Sequence, residues 1–136
     1  MTVSRSLLEL SIDLIAAEPL LEMDSESLAE DVVLIAYVWP DEYEFKAAIA
    51  SVCRAIGQLA SKTVSGTKLK YQHDEWLSYH FQHKRAQGGK ADMRIIYQMN
   101  MDKIRVRGFG HRHLPADISA VPIACQRKYK MDEVTV

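Results

Sequence analysis

The sequence has little of what marks secreted, membrane-spanning or metal-binding proteins. Its 136 residues include only two cysteines, Cys53 and Cys125, which lie too far apart for a metal or redox motif. The first residues do not show the basic segment, apolar segment and cleavage site of a secretory signal. The longest apolar run, residues 32–39, is far shorter than the roughly 20 residues that a membrane span needs. We therefore expect a cytoplasmic protein with free thiols, no membrane contact and one compact domain.

Acidic and basic residues are distributed unevenly along the chain, although the net charge is only −1. Residues 1–61 hold 3 Lys and Arg against 11 Asp and Glu, whereas residues 62–130 hold 14 against 5. The two parts therefore carry about −8 and +9. This asymmetry favours contact between the basic part and a polyanion, with the acidic part facing either water or the basic part. A chance distribution over a mixed surface is the alternative.

The first half of the chain shows helical periodicity in two stretches. Residues 4–17 place apolar side chains near helical spacing, with Ser4 as N-cap and Pro19 beyond the end. Asp41 begins a longer pattern, in which apolar residues recur at i, i+3, i+4 and i+7 as far as residue 60. Between these helices, the acidic residues 24–31 are compatible with one or two helical turns. The β-branched and aromatic run 32–39, which stops at Pro40, predicts a buried strand.

Three further strands are predicted at residues 76–83, 93–99 and 103–109. Gly88 and Gly89 favour a turn between the first two, and residues 100–102 fit a tight hairpin between the last two. The expected fold is α+β, with a four-stranded, mainly antiparallel sheet, a long helix on one face and an extra N-terminal helical segment. Residues 1–31 form the acidic helical extension, and residues 32–136 form the main domain. The aliphatic side chains of the strands should face the long helix.

The order of these elements and two short motifs resemble the RelE/ParE superfamily of bacterial toxins from toxin–antitoxin systems. Residues 93–97 read Met-Arg-Ile-Ile-Tyr, close to a strand motif of that family. After a turn, the final strand ends in Gly110-His111-Arg112, where the family has Gly-His-Arg or Gly-Lys-Arg. The resemblance covers about residues 32–120. The sequence differs from the family pattern in its acidic N-terminal segment, in the long connector 84–90 and at Ser119, where ribosome-dependent members often have tyrosine.

The resemblance implies an mRNA interferase, an endoribonuclease in which a 2′-hydroxyl attacks the adjacent phosphate. Its implied partners are RNA, free or on the ribosome, and a cognate antitoxin protein, with no cofactor and no metal. Histidine can exchange protons near neutral pH, and arginine can hold phosphate oxygens. The implied catalytic residues are His80, Arg94, His111, Arg112 and His113. The implied RNA-binding residues are Lys68, Lys70, Ser78, Lys84, Arg85, Arg105 and Arg107.

Several alternatives remain open at the level of sequence. The protein is alternatively a ParE-like module that inhibits a DNA topoisomerase without catalysis, or a degenerate relative that only binds RNA or a partner. Arg105 and Arg107 also fit an ordinary solvated sheet face. The histidine spacings are too general to indicate zinc. The acidic segment either masks the arginines or, as we prefer, packs on apolar surface remote from them.

Overall fold

The computed structural model describes residues 3–68 and 76–112 of the chain. Three helices and five strands are present in these residues, and the sheet has the strand order β1-β5-β4-β3-β2. The α+β class is therefore confirmed. The elements in chain order are α1 (Arg5–Ala16), β1 (Leu21–Glu22), α2 (Ser25–Val38), α3 (Glu42–Ala60), β2 (Thr67–Lys68), β3 (Leu77–Phe81), β4 (Met93–Asn100) and β5 (Lys103–His111).

Each helix begins at a side chain that caps its free backbone N–H groups. Ser4 accepts a hydrogen bond from the N–H of Leu7, and Asp24 and Asp41 accept equivalent bonds at the starts of α2 and α3. Such caps stabilise a helix start by about 1 kcal/mol. The predicted helices at 4–17 and 41–60 are confirmed as α1 and α3. No helix in the described ranges is both long enough and apolar enough to cross a bilayer.

The strand predicted at residues 32–39 is wrong, because these residues continue α2 from its cap at Asp24. Leu28, Val32 and Ile35 are buried at helical spacing. Other apolar residues of the same run face outward, with Tyr37 77% exposed. A short apolar run suits a buried strand as well as a buried helix, so the capped acidic turn preceding it decides the structure. The boundary expected between residues 31 and 32 consequently falls inside α2.

The sheet has five strands and is mixed, so the expectation of four mainly antiparallel strands is wrong in detail. The antiparallel arrangement of β3, β4 and β5 is as predicted. A two-residue turn, Met101-Asp102, joins β4 to β5. Two strands were not predicted: β2, which pairs antiparallel with β3, and β1, which pairs in parallel with β5 through Leu21↔Ile104 and Glu22↔Arg105. β1 therefore forms one edge of the sheet.

All three helices contribute to one core on one side of the sheet, which we call the helix face. Ile95, Tyr97, Ile104 and Val106 are buried there, so the predicted orientation of the aliphatic side chains is confirmed. Ile15 of α1 belongs to the same core and is 1% exposed. The N-terminal segment is thus an integral layer of the fold, because its removal would expose apolar core.

A bulge in β5 decides which side chains of the last strand reach the other side of the sheet. Tyr97 pairs with Val106, but Ile96 pairs with Gly108, so Arg107 is the extra residue. Two consecutive residues of β5 therefore oppose Ile96, and the alternation of side chains is inverted beyond this point. Phe109 consequently joins the helix-face core. We call the opposite side of the sheet, which carries Ser78, His80, Arg94, Arg107 and Arg112, the arginine face.

Candidate functional site

Cross-strand pairing brings His80 and Arg94 together on the arginine face. His80 of β3 lies directly opposite Arg94 of β4, which in turn lies opposite Gly110 of β5. Directly paired residues in an antiparallel sheet point to the same side, a few ångströms apart. Arg112 lies two residues beyond Gly110, immediately after β5 and next to Asp92.

His80 is exposed, and its surroundings favour the neutral imidazole. Partial burial lowers the pKa of His80 below its ordinary value, and the positive charges of Arg112 and Arg94 lower it further. A cation nearby disfavours a second cation, so both guanidiniums act in the same direction as burial. The Ser78 hydroxyl lies 3.5 Å from Nε2, at the limit of a hydrogen bond. At neutral pH His80 is therefore an imidazole able to accept a proton.

The two arginines beside His80 differ in exposure. Arg94 is only 8% exposed and acts on His80 mainly through its charge. Arg112 is exposed, although Nη1 donates a hydrogen bond of 2.9 Å to the Ala91 carbonyl. Its backbone N–H also donates to the carbonyl of Asp92 at 2.9 Å. Arg112 is thus held at the edge of the sheet with guanidinium surface left for an anionic ligand.

His111 lies on the opposite side of the sheet from His80, although both were expected in one site. It pairs with Met93, which belongs to the helix-face core. Its ring lies 5.7 Å from the ring of Trp39, at the C-terminal end of α2. The inversion of side chains beyond the β5 bulge is the physical reason. The structure therefore brings together three of the expected catalytic residues, His80, Arg94 and Arg112, and separates His111 from them.

His83 forms a bridge on the helix side that was not foreseen from the sequence. Its ring nitrogens face carboxylate oxygens of Asp92 and Glu44, the latter at 2.9 Å. The ring also stacks on Trp39, with centroids 4.3 Å apart. The helix α3, the residue preceding β4 and the loop after β3 are thereby joined by one side chain. This cluster links elements of the fold and lies apart from His80.

The expected RNA-binding residues occupy very different environments. Arg105 pairs with Glu22 at 2.9 Å, and Lys84 pairs with Glu44 at 2.8 Å. Arg107 is buried, with its guanidinium 4.4 Å from the centre of the Trp76 ring. Ser78 is also buried. Within residues 3–68 and 76–112, the residues of this set that combine exposure with no ion pair are Lys68 and Arg85. The expected site residues Lys70 and His113 lie outside the described residues, as does Ser119.

A groove of about 370 Å³ lies between α3 and the edge of β3. We call it the α3–β3 groove; it is lined by Ser51, Arg54, Gln58, Tyr79, His80 and Arg85, among others. Sequence reasoning missed Arg54 because it stands at an exposed position of an amphipathic helix and belongs to no motif. Its only signal is a positive charge in a part of the chain that is otherwise strongly acidic. The groove therefore unites residues that are distant in sequence.

The acidic N-terminal segment packs mainly away from the arginine face. α1 contacts α2 and α3, which lie on the helix face. Glu22 reaches Arg105 at the sheet edge, and the buried carboxylate of Asp31 accepts a hydrogen bond of 3.0 Å from the N–H of Phe109. These contacts favour the interpretation that the segment is part of the fold and does not cover His80.

Comparisons of the chain with protein-family models, with curated proteins and with solved structures find no match. The resemblance to RelE/ParE toxins therefore depends on the residues quoted from the sequence.

Proposed function

We propose that the chain is an endoribonuclease of the RelE type, which cleaves RNA by attack of a 2′-hydroxyl on the adjacent phosphate. The observation that supports this function best is the position of His80, exposed beside Arg94 and Arg112 on one face of the sheet. A neutral imidazole next to guanidiniums combines a proton acceptor with groups that stabilise negative charge.

The reaction assigns a separate role to each of the three residues. His80 takes the proton of the 2′-hydroxyl as the bond from O2′ to phosphorus forms. The bond from phosphorus to the 5′-oxygen breaks, and water or the His80 imidazolium protonates the leaving oxygen. The products are a 2′,3′-cyclic phosphate and a 5′-hydroxyl. Arg112, the exposed cation, binds a phosphate oxygen. Partial burial of His80, then the charge of Arg112 and, least, the buried charge of Arg94 favour the neutral form of His80 before the reaction.

Cleavage of a short RNA by the full chain tests this proposal, with the two separated histidines as a matched pair. His80→Gln should lower the rate by at least ~10²-fold, because general-base catalysis contributes on that scale. His111→Gln should retain cleavage, because His111 lies on the helix face beside Trp39. A 2′-deoxy nucleotide at the cleaved position should stop the reaction. Equal losses in the two histidine variants would contradict the assignment of His80.

The same assay, combined with a test of DNA topoisomerase inhibition, separates the proposed function from the alternatives. A ParE-like protein would leave RNA intact and inhibit strand passage by a DNA topoisomerase. A degenerate relative would bind RNA and produce no cyclic phosphate. Either result with the wild-type chain would overturn the proposal of an endoribonuclease.

A further inference from the structure

We infer that the α3–β3 groove binds one nucleotide of single-stranded RNA, next to the phosphate that His80 and Arg112 would engage. This inference names a substrate subsite and rests on the proposed function. No residue of the groove except His80 and Arg85 was indicated by the sequence.

The groove lies where, among residues 3–68 and 76–112, β3 has no neighbouring strand along part of its edge. Within these residues β2 pairs with β3 at Thr67↔Ser78 and Lys68↔Leu77. The carbonyl of Phe81 accepts from the N–H of Asp92 on the β4 side. Backbone groups of successive residues in a strand point alternately to its two sides, so the N–H and C=O of His80 point to the open edge. A ligand in the groove would therefore meet strand backbone as well as side chains.

The charges of the groove suit a phosphate. Arg54 projects from α3, and Arg85 projects from the loop after β3, so the two guanidiniums come from different elements that border the groove. Both are exposed, and neither forms an ion pair with any residue that the structure describes. Arginine binds phosphate oxygens through two parallel hydrogen bonds. Two such residues make the groove attractive to a polyanion.

The remaining lining suits a base or sugar. The rings of Tyr79 and Phe81 lie nearly parallel, 5.9 Å apart, and both side chains are partly buried. Gln58 adds an amide that can donate and accept hydrogen bonds. The volume of about 370 Å³ is at the lower end of the range for small-molecule sites, roughly 300–1,000 Å³. A single nucleotide is a ligand of the appropriate size and chemistry.

The loop that carries Arg85 is held in place before any ligand binds. The side chain of Gln82 donates to the carbonyls of Ala86 and Gly89, at 3.0 and 2.7 Å, and accepts from the N–H of Ala86 at 2.9 Å. A Cβ at Gly89 would lie 2.8 Å from the Gln82 amide nitrogen, so Gln82 and Gly89 are closely packed. Ser51 of α3 donates to the His83 carbonyl at 2.7 Å. Hydrogen bonds within the loop and to α3 thus hold the loop in one conformation, which reduces the entropic cost of binding a ligand.

The shared residue His80 favours RNA over an acidic peptide as the occupant. His80 lines the groove and also stands beside Arg94 on the arginine face. An RNA strand bound at His80 would therefore border the groove with its neighbouring nucleotide. An acidic peptide would contact the two arginines, but it has no phosphate to place beside His80.

Binding of an uncleavable RNA by the full chain tests the groove independently of catalysis. The probe is a short single-stranded RNA with methylated 2′-hydroxyls and a fluorescent label, followed by anisotropy at several salt concentrations. Arg54→Gln and Arg85→Gln should each weaken binding about 10-fold, the scale of one lost charge-assisted hydrogen bond. Each should also reduce the slope of log K against log salt by about 0.7, the value for one phosphate contact on single strands.

Arg5→Gln is the matched control, because it removes one guanidinium from α1 at a residue that does not line the groove. It should leave affinity and salt slope unchanged. Wild-type affinity for the RNA in both Arg54→Gln and Arg85→Gln would overturn the inference that the groove binds a nucleotide. Displacement of the RNA by a glutamate-rich peptide of equal charge would overturn it as well.

Failure of the groove and failure of the proposed function give different results. If cleavage of RNA depends on His80 while Arg54→Gln and Arg85→Gln bind RNA normally, the inferred nucleotide subsite is wrong and the proposed endoribonuclease activity is supported. If binding of the uncleavable RNA depends on Arg54 and Arg85 but ordinary RNA stays intact, the inferred nucleotide subsite is supported and the proposed endoribonuclease activity is wrong. Absence of any RNA binding by the wild-type chain would overturn both.

Discussion

His80 shows how neighbouring residues change the chemistry of one side chain. On sequence alone it is one histidine of five, in a strand with no distinguishing motif. The structure adds partial burial and the charges of Arg112 and Arg94, which all lower its pKa. The expected consequence for catalysis is an acidic limb of the pH–rate profile with an inflection below about 6.5, the ordinary histidine value.

Removal of the Arg112 charge should raise the pKa of His80 toward its ordinary value. With one cation fewer nearby, the imidazolium is less disfavoured, so proton binding becomes easier. NMR titration of the His80 ring in Arg112→Ala measures this shift, and the acidic limb of the rate profile should move to higher pH with it. Arg105→Gln is the control, because Arg105 pairs with Glu22 and is not among the charges that act on His80. An unchanged titration in Arg112→Ala would show that the two side chains are too far apart to interact.

The ends of the helices illustrate stabilisation at the scale of the element. At the end of α3, the N–H groups of Lys62 and Thr63 donate to the carbonyls of Leu59 and Gln58. This is a Schellman motif, in which the residue after the C-cap adopts a left-handed conformation. Lys62 has a φ of 62°. Glycine is the usual residue there, because a side chain makes this conformation unfavourable.

Lys62→Gly should therefore stabilise the protein by about 0.5–1 kcal/mol, since the left-handed backbone is retained without the clash of a Cβ. Urea unfolding should show a higher midpoint with an unchanged dependence on denaturant. Lys62→Ala removes the same charge but keeps the Cβ, so it should not show this gain. Equal stabilisation by alanine would assign the effect to charge and not to the backbone.

The contact between α2 and β5 provides a second test at the same scale. Asp31 is fully buried and accepts a hydrogen bond from the N–H of Phe109. Phe109 lies further along β5 than Ile104 and Arg105, the two residues that pair with β1. Asp31→Ala should cost about 1–3 kcal/mol, because it leaves a buried N–H without this acceptor. Asp31→Asn keeps an oxygen of similar position and should cost less. Urea unfolding of both variants checks the order, and a milder effect of alanine would contradict it.

At the scale of the whole molecule, acidic side chains of the N-terminal half hold the basic C-terminal half in place. Glu22 joins β1 to Arg105, and Glu44 joins α3 to His83 and Lys84. Hydrogen bonding to Arg105 lowers the pKa of Glu22, with a further contribution from Asn100 against the opposing effect of burial. Hydrogen bonds from Lys84 and then His83 lower the pKa of Glu44. The charge asymmetry of the sequence is thus partly internal to the fold.

These carboxylates should make the protein sensitive to acid. Because their pKa values are lower in the folded chain, their stabilisation is complete above the unfolded value of about 4.5 and is lost as the pH falls through the lower folded value. Glu22→Gln and Glu44→Gln should therefore lose less stability than the wild type between pH 5 and 3. Urea unfolding at several pH values measures this. Glu9→Gln, in an exposed pair on α1, is the control and should follow the wild type.

The extent to which the sequence predicted this protein differs between the fold and the candidate site. The α1 and α3 helices, the β3–β5 meander and the hairpin turn were predicted because each follows from a local pattern. Residues 32–39 were assigned to a strand because a continuous run of eight apolar residues is too short to show whether its period is that of a helix or of a strand. At the candidate site, His80, Arg94 and Arg112 lie on one face as expected, but His111, which was grouped with them, lies on the other. Arg54 was missed because its partner in the groove, Arg85, is remote in sequence.

The sequence by itself determined the features that depend on near neighbours, such as the caps at Ser4, Asp24 and Asp41 and the turn at residues 101–102. Their hydrogen bonds join groups only a few residues apart, so composition and spacing contain the necessary information. Only the tertiary structure decided which side chains share a surface. One extra residue, Arg107, inverts the end of β5, so that His111 faces the side opposite His80 and Arg94. Among the described residues, the short β2 leaves the edge of β3 unpaired where His80 meets α3. These outcomes depend on pairing between distant strands, which no local pattern specifies.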